Sequence, residues 1–425
     1  MESLQANEEL HATYESELIL NARKLANVLL EALPSDLLGD RFTRSGLVRA
    51  FLSFNVNCYA LGECGVGLFF FGALASHSCA QNASFVDLEE MPGCKALRAL
   101  ADLPAGAELS ISYLGSDLVM PTFLRRQKLL SSQLFWCQCP RCLDPAEQGR
   151  LLRCVLCPSC FSLAMNPLPT PIKKPPAPVA SSESEAAAPG EGVDESSQEE
   201  DQNDSNSDGE KNGDGAQPSS SKPPPPPSSG MDQPEVDEQW QCSNCNATVT
   251  GTPSPRDAEK KVEELFLAAK QLLLDEEGTL APAAADPAQV EKAVRLLEFC
   301  LQNTQLHASH YLKDMTRELL HAIFLECQMY QRALDMAPTL VQTASRIYAT
   351  DHFEKGQLFE TLAQLTTDAE GSGNSGDDAA ASAAAPSLIN LRREYLEAAH
   401  HQYTTYFGET ATPTIRLQNR LATLH

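Results

Sequence analysis

Cysteine carries the plainest chemistry in this chain. The stretch LFWCQCPRC, residues 134–142, sets three thiols (Cys137, Cys139 and Cys142) within six positions. Two C-x₂-C pairs follow as CPSC (157–160) and CSNC (242–245). Thiolates at such spacing are half-sites for tetrahedral zinc, and a structural centre takes four ligands. Cys157, Cys160, Cys242 and Cys245 make one complete set, with Cys154, three residues before Cys157, as a competitor for a place in it. A metal site is preferred to exposed, oxidisable thiols, which would leave two C-x₂-C pairs without a reason. The trio at 137–142 is one ligand short.

Composition narrows what these cysteines do. The 425 residues are 42% hydrophobic, enough for two or three folded units, and the formal charge is −25. Residues 166–239 hold 4 basic and 16 acidic side chains, and what remains is acidic too. Nucleic acid is therefore not an expected ligand, while basic, lysine-rich protein segments suit the charge. Fourteen cysteines would mean disulfides in a secreted protein. The opening MESLQANEEL has no basic stretch followed by an apolar one, so no signal peptide is expected. The longest apolar run, Val66–Ala75, is about half of a membrane span. The expectation is a cytoplasmic chain without a membrane segment, the nucleus staying open because no basic localisation cluster occurs. In that setting clustered cysteines bind metal.

The elements that must position these residues alternate in character. Residues 7–34 carry Leu18, Ala22, Leu25 and Leu29 at helical spacing, closed by Pro34. From Gly46 an apolar run leads into GECGVGLFF, and up to Tyr113 the pattern is short and β-like with turns at MPGC and LPAG. Residues 121–134 read as helix. Residues 166–239, rich in Pro, Ser, Glu and Asp, bury too little apolar surface to order themselves and read as a disordered linker. Beyond Pro253 the chain is strongly helical. Val262, Leu265, Phe266, Ala269, Leu272 and Leu273 form one apolar face, and Val290, Ala293, Leu296, Leu297, Cys300 and Leu301 the next, after an Asp286-Pro287 helix start. Further helices are expected at 310–329, 332–348, 352–367, 388–407 and 412–424, with a low-complexity insert at 370–387. A helical-repeat array and an irregular helical bundle both fit this pattern.

Read in order, GVGLFFFGALASHSCAQNASF (65–85), AGAELSISYL (105–114) and FWCQCPRC (135–142) resemble the C-terminal half of a SET domain with its post-SET zinc cluster. With the helical lead-in and tail, the chain resembles the SET- and MYND-domain-containing (SMYD) protein-lysine methyltransferases. The resemblance implies that Cys79 is the fourth ligand of the 137–142 cluster. It implies a methyl transfer from S-adenosylmethionine (AdoMet) to a lysine-bearing protein substrate, a histone tail or a chaperone among the candidates, by a monomer. It assigns catalysis to Tyr113 in ELSISY, and cofactor contacts to Asn57, Ser76, His77 and Phe135. Two zinc ions per chain are expected. A lysine must arrive uncharged, so a narrow apolar channel and an aligned phenol are what the chemistry asks for.

Three departures bear on activity. Ser76 and Gln81 stand where the family has asparagine and proline, and neither the N-terminal SET strands nor a MYND finger is found. Two functions therefore stay open: a SMYD-type lysine methyltransferase, and a catalytically inactive, zinc-stabilised interaction scaffold. The fold expected is α+β, a partial SET β-fold followed by an all-α, TPR-like domain. Its segments are a helical lead-in (1–54), the SET core (55–120), the post-SET zinc region (121–165), the linker (166–239), the second half of a zinc knuckle (240–252) and the helical domain (253–425).

Overall fold

The computed structural model describes residues 6–13, 17–33, 42–61, 65–88, 90–91, 93–169, 238–251, 254–275, 277–348, 350–372 and 385–424. All of them belong to one unit built from Met1–Ile172 and Asp237–His425. Most of the expected linker, and residues 373–384 of the low-complexity insert, lie outside the described residues.

Among the described residues three helices lead in: α1 (Glu8–Thr13), α2 (Glu17–Ala32) and α3 (Arg44–Asn57). Helix α2 carries two overlapping apolar stripes, and its partner selects one of them. Ile19, Ala22 and Ala26 face Leu47, Val48 and Leu52 of α3, because the alanines let the two backbones approach. Leu25, expected on the buried face, is 49% exposed instead. Thr43 caps α3 by accepting the Gly46 N–H at 3.1 Å. The helix runs to Asn57, three residues beyond the expected boundary at 54.

The β-lobe consists of short strand pairs. β1 (Cys58–Ala60) pairs antiparallel with β2 (Val66–Leu68), and β3 (Ser76–His77) runs parallel to β6 (Ser110–Ile111). β4 (Ala83–Asp87) pairs antiparallel with β5 (Lys95–Ala99). Ala75, Ala83 and Ile111 form its small core, with Tyr59 and Phe85 packed edge to face at 4.6 Å. Gly72 lies against Phe85 so closely that a Cβ would come within 2.5 Å of the ring.

Helix α4 (Thr122–Gln133) ends at Leu134, whose left-handed backbone (φ 57°) turns the chain into the cysteine cluster and the short helix α5 (Pro140–Leu143). A four-stranded sheet follows, ordered β10 (Thr248–Val249), β9 (Trp240–Cys242), β8 (Leu163–Pro167), β7 (Val155–Leu156). Strands β8 and β9 pair up to Pro167↔Trp240, and the Leu168 N–H reaches the Gln239 carbonyl at 2.7 Å. The segment between them is thus an insertion at the tip of a hairpin. Asn166 and Pro167, assigned from sequence to the linker, are strand residues.

The remaining described residues are mainly α-helical: α6 (Pro255–Gln271), α7 (Pro287–Gln302), α8 (Tyr311–Glu326), α9 (Tyr330–Ile347), α10 (Phe353–Ser372), α11 (Ala385–Phe407) and α12 (Thr412–Ala422). Ser254 and Asp257 form a capping box at α6, and Asp286 with Pro287 starts α7. Val262, Phe266, Ala269 and Leu273 are buried on one face, and Val290, Ala293, Leu297 and Cys300 on the next. Each helix from α7 onward packs on its neighbour in sequence. One hydrophobic core extends from Cys79, Cys137 and Cys142 through Trp240 to Leu365, so the cysteine-bearing region and the helices are a single packed body. The fold class is α+β.

Candidate functional site: two tetrathiol centres and an adjoining tyrosine cleft

Cys79, Cys137, Cys139 and Cys142 converge, with all four sulfurs within 4.8 Å of one another. Cys79 Sγ lies 4.0 Å from Cys137 Sγ and 3.6 Å from Cys142 Sγ. These separations are far too long for disulfides, which need about 2.05 Å. They match zinc, since Zn–S bonds of about 2.3 Å in a tetrahedron put sulfurs about 3.8 Å apart. The set joins the loop after β3 to the turn before α5, 58 residues on.

Three arginines surround this centre, and all are buried. Arg125 Nη2 donates to Cys142 Sγ at 3.4 Å. Arg126 binds the carbonyls of Cys137 (2.9 Å) and Cys142 (3.1 Å), and Arg141 binds that of Cys79 (3.2 Å). Glu147 holds Arg125 at 2.6 Å and Arg141 at 3.2 Å. Burial alone would raise the Glu147 pKa, but Arg125 and then Arg141 outweigh it and hold the carboxyl below its ordinary range. A zinc tetrathiolate would carry two negative charges, and three guanidiniums less one carboxylate return two positive ones. The sequence reading missed this shell. The available signal was Arg125 four residues before Leu129, which puts a charge on the buried stripe of α4.

The second centre comprises Cys157, Cys160, Cys242 and Cys245. Its sulfur pairs, Cys157–Cys245 and Cys160–Cys242, both lie at 3.7 Å, again the tetrahedral spacing. The two knuckles repeat one backbone pattern. Cys157 N–H binds the Ser162 carbonyl and Phe161 N–H returns to that of Cys157; Cys242, Ala247 and Asn246 do the same. Phe161 (φ 57°) and Asn246 (φ 58°) take the left-handed turn each loop needs. Cys154 stands outside, its thiol 3.2 Å from the Leu163 carbonyl, so its competition for the site resolves against it.

Tyr113 adjoins the first centre. Its hydroxyl donates to the Ala75 carbonyl at 2.6 Å, and its backbone N–H donates to His77 Nδ1 at 3.1 Å. His77 Nε2 faces Cys79 Sγ at 3.3 Å. The rings of His77 and Phe135 lie 5.2 and 6.4 Å from that of Tyr113. Burial pushes the Tyr113 phenol up and His77 down to about 4, so at neutral pH the phenol keeps its proton. Tyr113 is 37% exposed and lines a cleft of about 250 Å³ with Val56, Asn57, Tyr59, Ala60 and Ala73. Asn57, the last residue of α3, donates from its side chain to the Ser53 carbonyl at 2.7 Å. The negative end of the α3 dipole therefore borders the cleft and favours a cation there.

The structure thus brings Tyr113 and Asn57 to one cleft, with His77 and Phe135 packed beside Tyr113. Ser76 is exposed on β3. Tyr59 escaped the sequence reading; its hydroxyl binds the Gly72 carbonyl at 2.7 Å, and burial, then Tyr113, pushes its phenol up to about 12. Its place two residues after Asn57 was the only signal.

A β-lobe closed by a bridging tetrathiol knot, followed by a helical domain, defines a partial SET-type fold. The chain is related to the SMYD group of SET-domain lysine methyltransferases. It is 36% identical over 92 residues to the SET domain-containing protein SmydA-8, isoform B, of Drosophila melanogaster, covering 21% of this chain and 19% of that one. It is 38% identical over 101 residues to the histone-lysine N-methyltransferase SMYD3 of Mus musculus (24% and 22%). It is 29% identical over 135 residues to the histone-lysine N-methyltransferase ASHR1 of Arabidopsis thaliana (30% and 26%). The chain's matches span about a fifth to a quarter of the length of these relatives. No family model matches.

Proposed function

We propose that the chain is a SMYD-type protein-lysine N-methyltransferase that uses AdoMet, with Tyr113 as its catalytic phenol. The observation that carries this reading is the placement of a protonated Tyr113 hydroxyl on a cleft bordered by the C-terminal end of α3. AdoMet, when bound, supplies an activated methyl group on a sulfonium, a cation that the C-terminal end of the α3 dipole suits. The lysine amine attacks only when uncharged, so the substrate lysine loses its proton to solvent before it enters. The Tyr113 oxygen then steers the neutral amine. Phe135 packs beside it as a cover, and zinc at Cys79, Cys137, Cys139 and Cys142 fixes the segment that carries Phe135. Zinc at the knuckles holds the base of the hairpin insertion. The helical domain, TPR-like in this reading, recognises a basic protein segment.

Calorimetry of zinc-loaded protein with AdoMet tests the reading. A measurable heat, with methyl incorporation into a lysine-bearing protein that falls in Tyr113→Phe, supports it; absent heat with folded protein eliminates it. A second reading, a non-catalytic scaffold, draws on two observations. The cleft is smaller than the 300–1,000 Å³ or so of ordinary ligand pockets, and each described β-lobe sheet has only two strands.

A further inference from the structure

The two tetrathiol centres share ligand chemistry and differ in protection. At the first, Cys79, Cys137 and Cys142 are buried and Cys139 is half-buried. At the second, Cys157 and Cys242 are buried, Cys160 is half-buried and Cys245 is exposed. The donors differ in charge as well. Arg125 binds a sulfur of the first centre, with Arg126 and Arg141 on its ligand carbonyls. The donors on the second are uncharged: the Asn244 backbone N–H to Cys242 Sγ at 3.4 Å, the Asn244 side chain to Cys160 Sγ at 3.5 Å, Ser162 at Cys160 and the Ala247 backbone at Cys245.

Both differences act in one direction. Burial denies a small oxidant access to sulfur, and a guanidinium hydrogen bond withdraws the electron density an attacking thiolate needs. Neither protection covers Cys245. Its sulfur lies 3.7 Å from that of Cys157 on the opposite knuckle. The pair must close by less than 2 Å to reach the S–S length of about 2.05 Å.

From this contrast we propose that the Cys157/Cys160/Cys242/Cys245 centre is a peroxide-sensitive modification site: oxidation links Cys245 to Cys157 and releases its zinc, while the Cys79/Cys137/Cys139/Cys142 centre keeps its own. The inference rests on the zinc reading of both centres and is independent of methyl transfer. The oxidant is hydrogen peroxide or another small hydroperoxide. The Cys245 thiolate attacks one peroxide oxygen, the O–O bond breaks, and hydroxide leaves, giving a sulfenic acid. The Cys157 thiolate attacks the sulfenic sulfur, the S–S bond forms, and a second hydroxide leaves. The cysteine pair loses two electrons, the peroxide gains them, and two protons from solvent complete two water molecules. Zinc, left with two ligands, dissociates. The hairpin base stays closed through the new bond and through Arg153, which holds Glu238 at 2.6 and 2.8 Å. A thiol reductant and zinc restore the centre.

The test uses the full chain with its zinc content measured beforehand. Hydrogen peroxide is added, released zinc is followed with the chelating dye 4-(2-pyridylazo)resorcinol, and cysteine pairing is mapped by differential alkylation and peptide mass spectrometry. The expected result is one zinc per chain released roughly tenfold or more faster than the other, with a linked peptide pair containing Cys157 and Cys245. Reduction and added zinc should reverse both. In Cys245→His, which keeps a metal ligand but removes the attacking thiol, the fast release should disappear. The proposal is overturned by a starting content below two zincs, by equal release rates, or by earlier oxidation of the 79/137/139/142 set. It is equally overturned if peroxide leaves both ions in place, or if Cys245→His loses zinc as fast as the parent.

Discussion

The backbone N–H of Tyr113 donates to Nδ1 of His77 at 3.1 Å, and this one bond settles which ring nitrogen carries the proton. With Nδ1 accepting, the hydrogen sits on Nε2 and is aimed at Cys79 Sγ, 3.3 Å away. A single imidazole thereby ties the end of the tyrosine strand to a sulfur of the bridging centre.

Tyr113→Phe removes the hydroxyl bonded to Ala75 and leaves the ring against His77 and Phe135. Stability should change by about 1 kcal/mol or less, the net worth of one hydrogen bond. Methyl transfer should drop by about 10²-fold or more, with the heat of AdoMet binding retained. An unchanged turnover number, measured by methyl incorporation, would remove the phenol from the mechanism.

Cys79→Ser breaks the bridge between two distant segments, whereas Cys94 is exposed and outside both clusters. Gently purified parent protein should hold about two zinc ions per chain, Cys79→Ser about one, and Cys94→Ser about two. The thermal midpoint should fall sharply only for Cys79→Ser. Equal midpoints in the two variants would count against the bridging role.

Glu259 is fully buried on α6 and shared by Arg153 (2.9 and 2.6 Å), Arg256 (2.9 Å) and His310 (3.0 Å). Burial by itself raises its pKa, but Arg153 and then His310 prevail and hold the carboxyl well below its ordinary range. A depressed folded-state pKa contributes stability that is complete above the unfolded value of about 4.3 and is lost as the pH falls toward the folded one. Glu259→Gln should cost about 3–5 kcal/mol at pH 7, because it leaves buried guanidinium charge uncompensated. The gap between parent and variant in denaturant midpoint should narrow as the pH is lowered below about 4. A gap that stays constant from pH 7 to pH 3.5 would show that the carboxylate charge is not what stabilises this junction.

Because β8 and β9 pair as far as Leu168 and Gln239, joining residue 169 to 238 through a short Asn-Gly turn should leave the body intact. Loop-closure arithmetic predicts a change of no more than about 3 kcal/mol, and in the stabilising direction. Zinc content should be unchanged. Loss of one zinc on excision would mean that the insert helps to build the second centre.

Much of this site was legible because metal ligation leaves local spacing in a sequence. Cys137, Cys139 and Cys142, and the two C-x₂-C pairs, stand out at short range since one ion must reach several thiols on one tight turn. Cys79 left no such trace and came from the resemblance of its flanking motif. The helix start at Asp286 was readable for a similar reason, as a cap satisfies backbone groups a few residues away. Leu25 was misplaced because Leu18/Ala22/Leu25/Leu29 and Ile19/Ala22/Ala26 satisfy the same helical period, and only the presence of α3 chooses between them.

By itself, then, the amino-acid order carried the clustered ligand types, most of the helices and the β-like character of residues 65–113, each a consequence of interactions within a few residues. The folded chain decided what depends on distant partners: the exclusion of Cys154, the arginine cage on one centre and its lack on Cys245, and the imidazole that joins Tyr113 to Cys79. Those relations are set by packing between side chains from different segments, up to 62 residues apart, where no spacing rule operates and the shared core determines which groups meet.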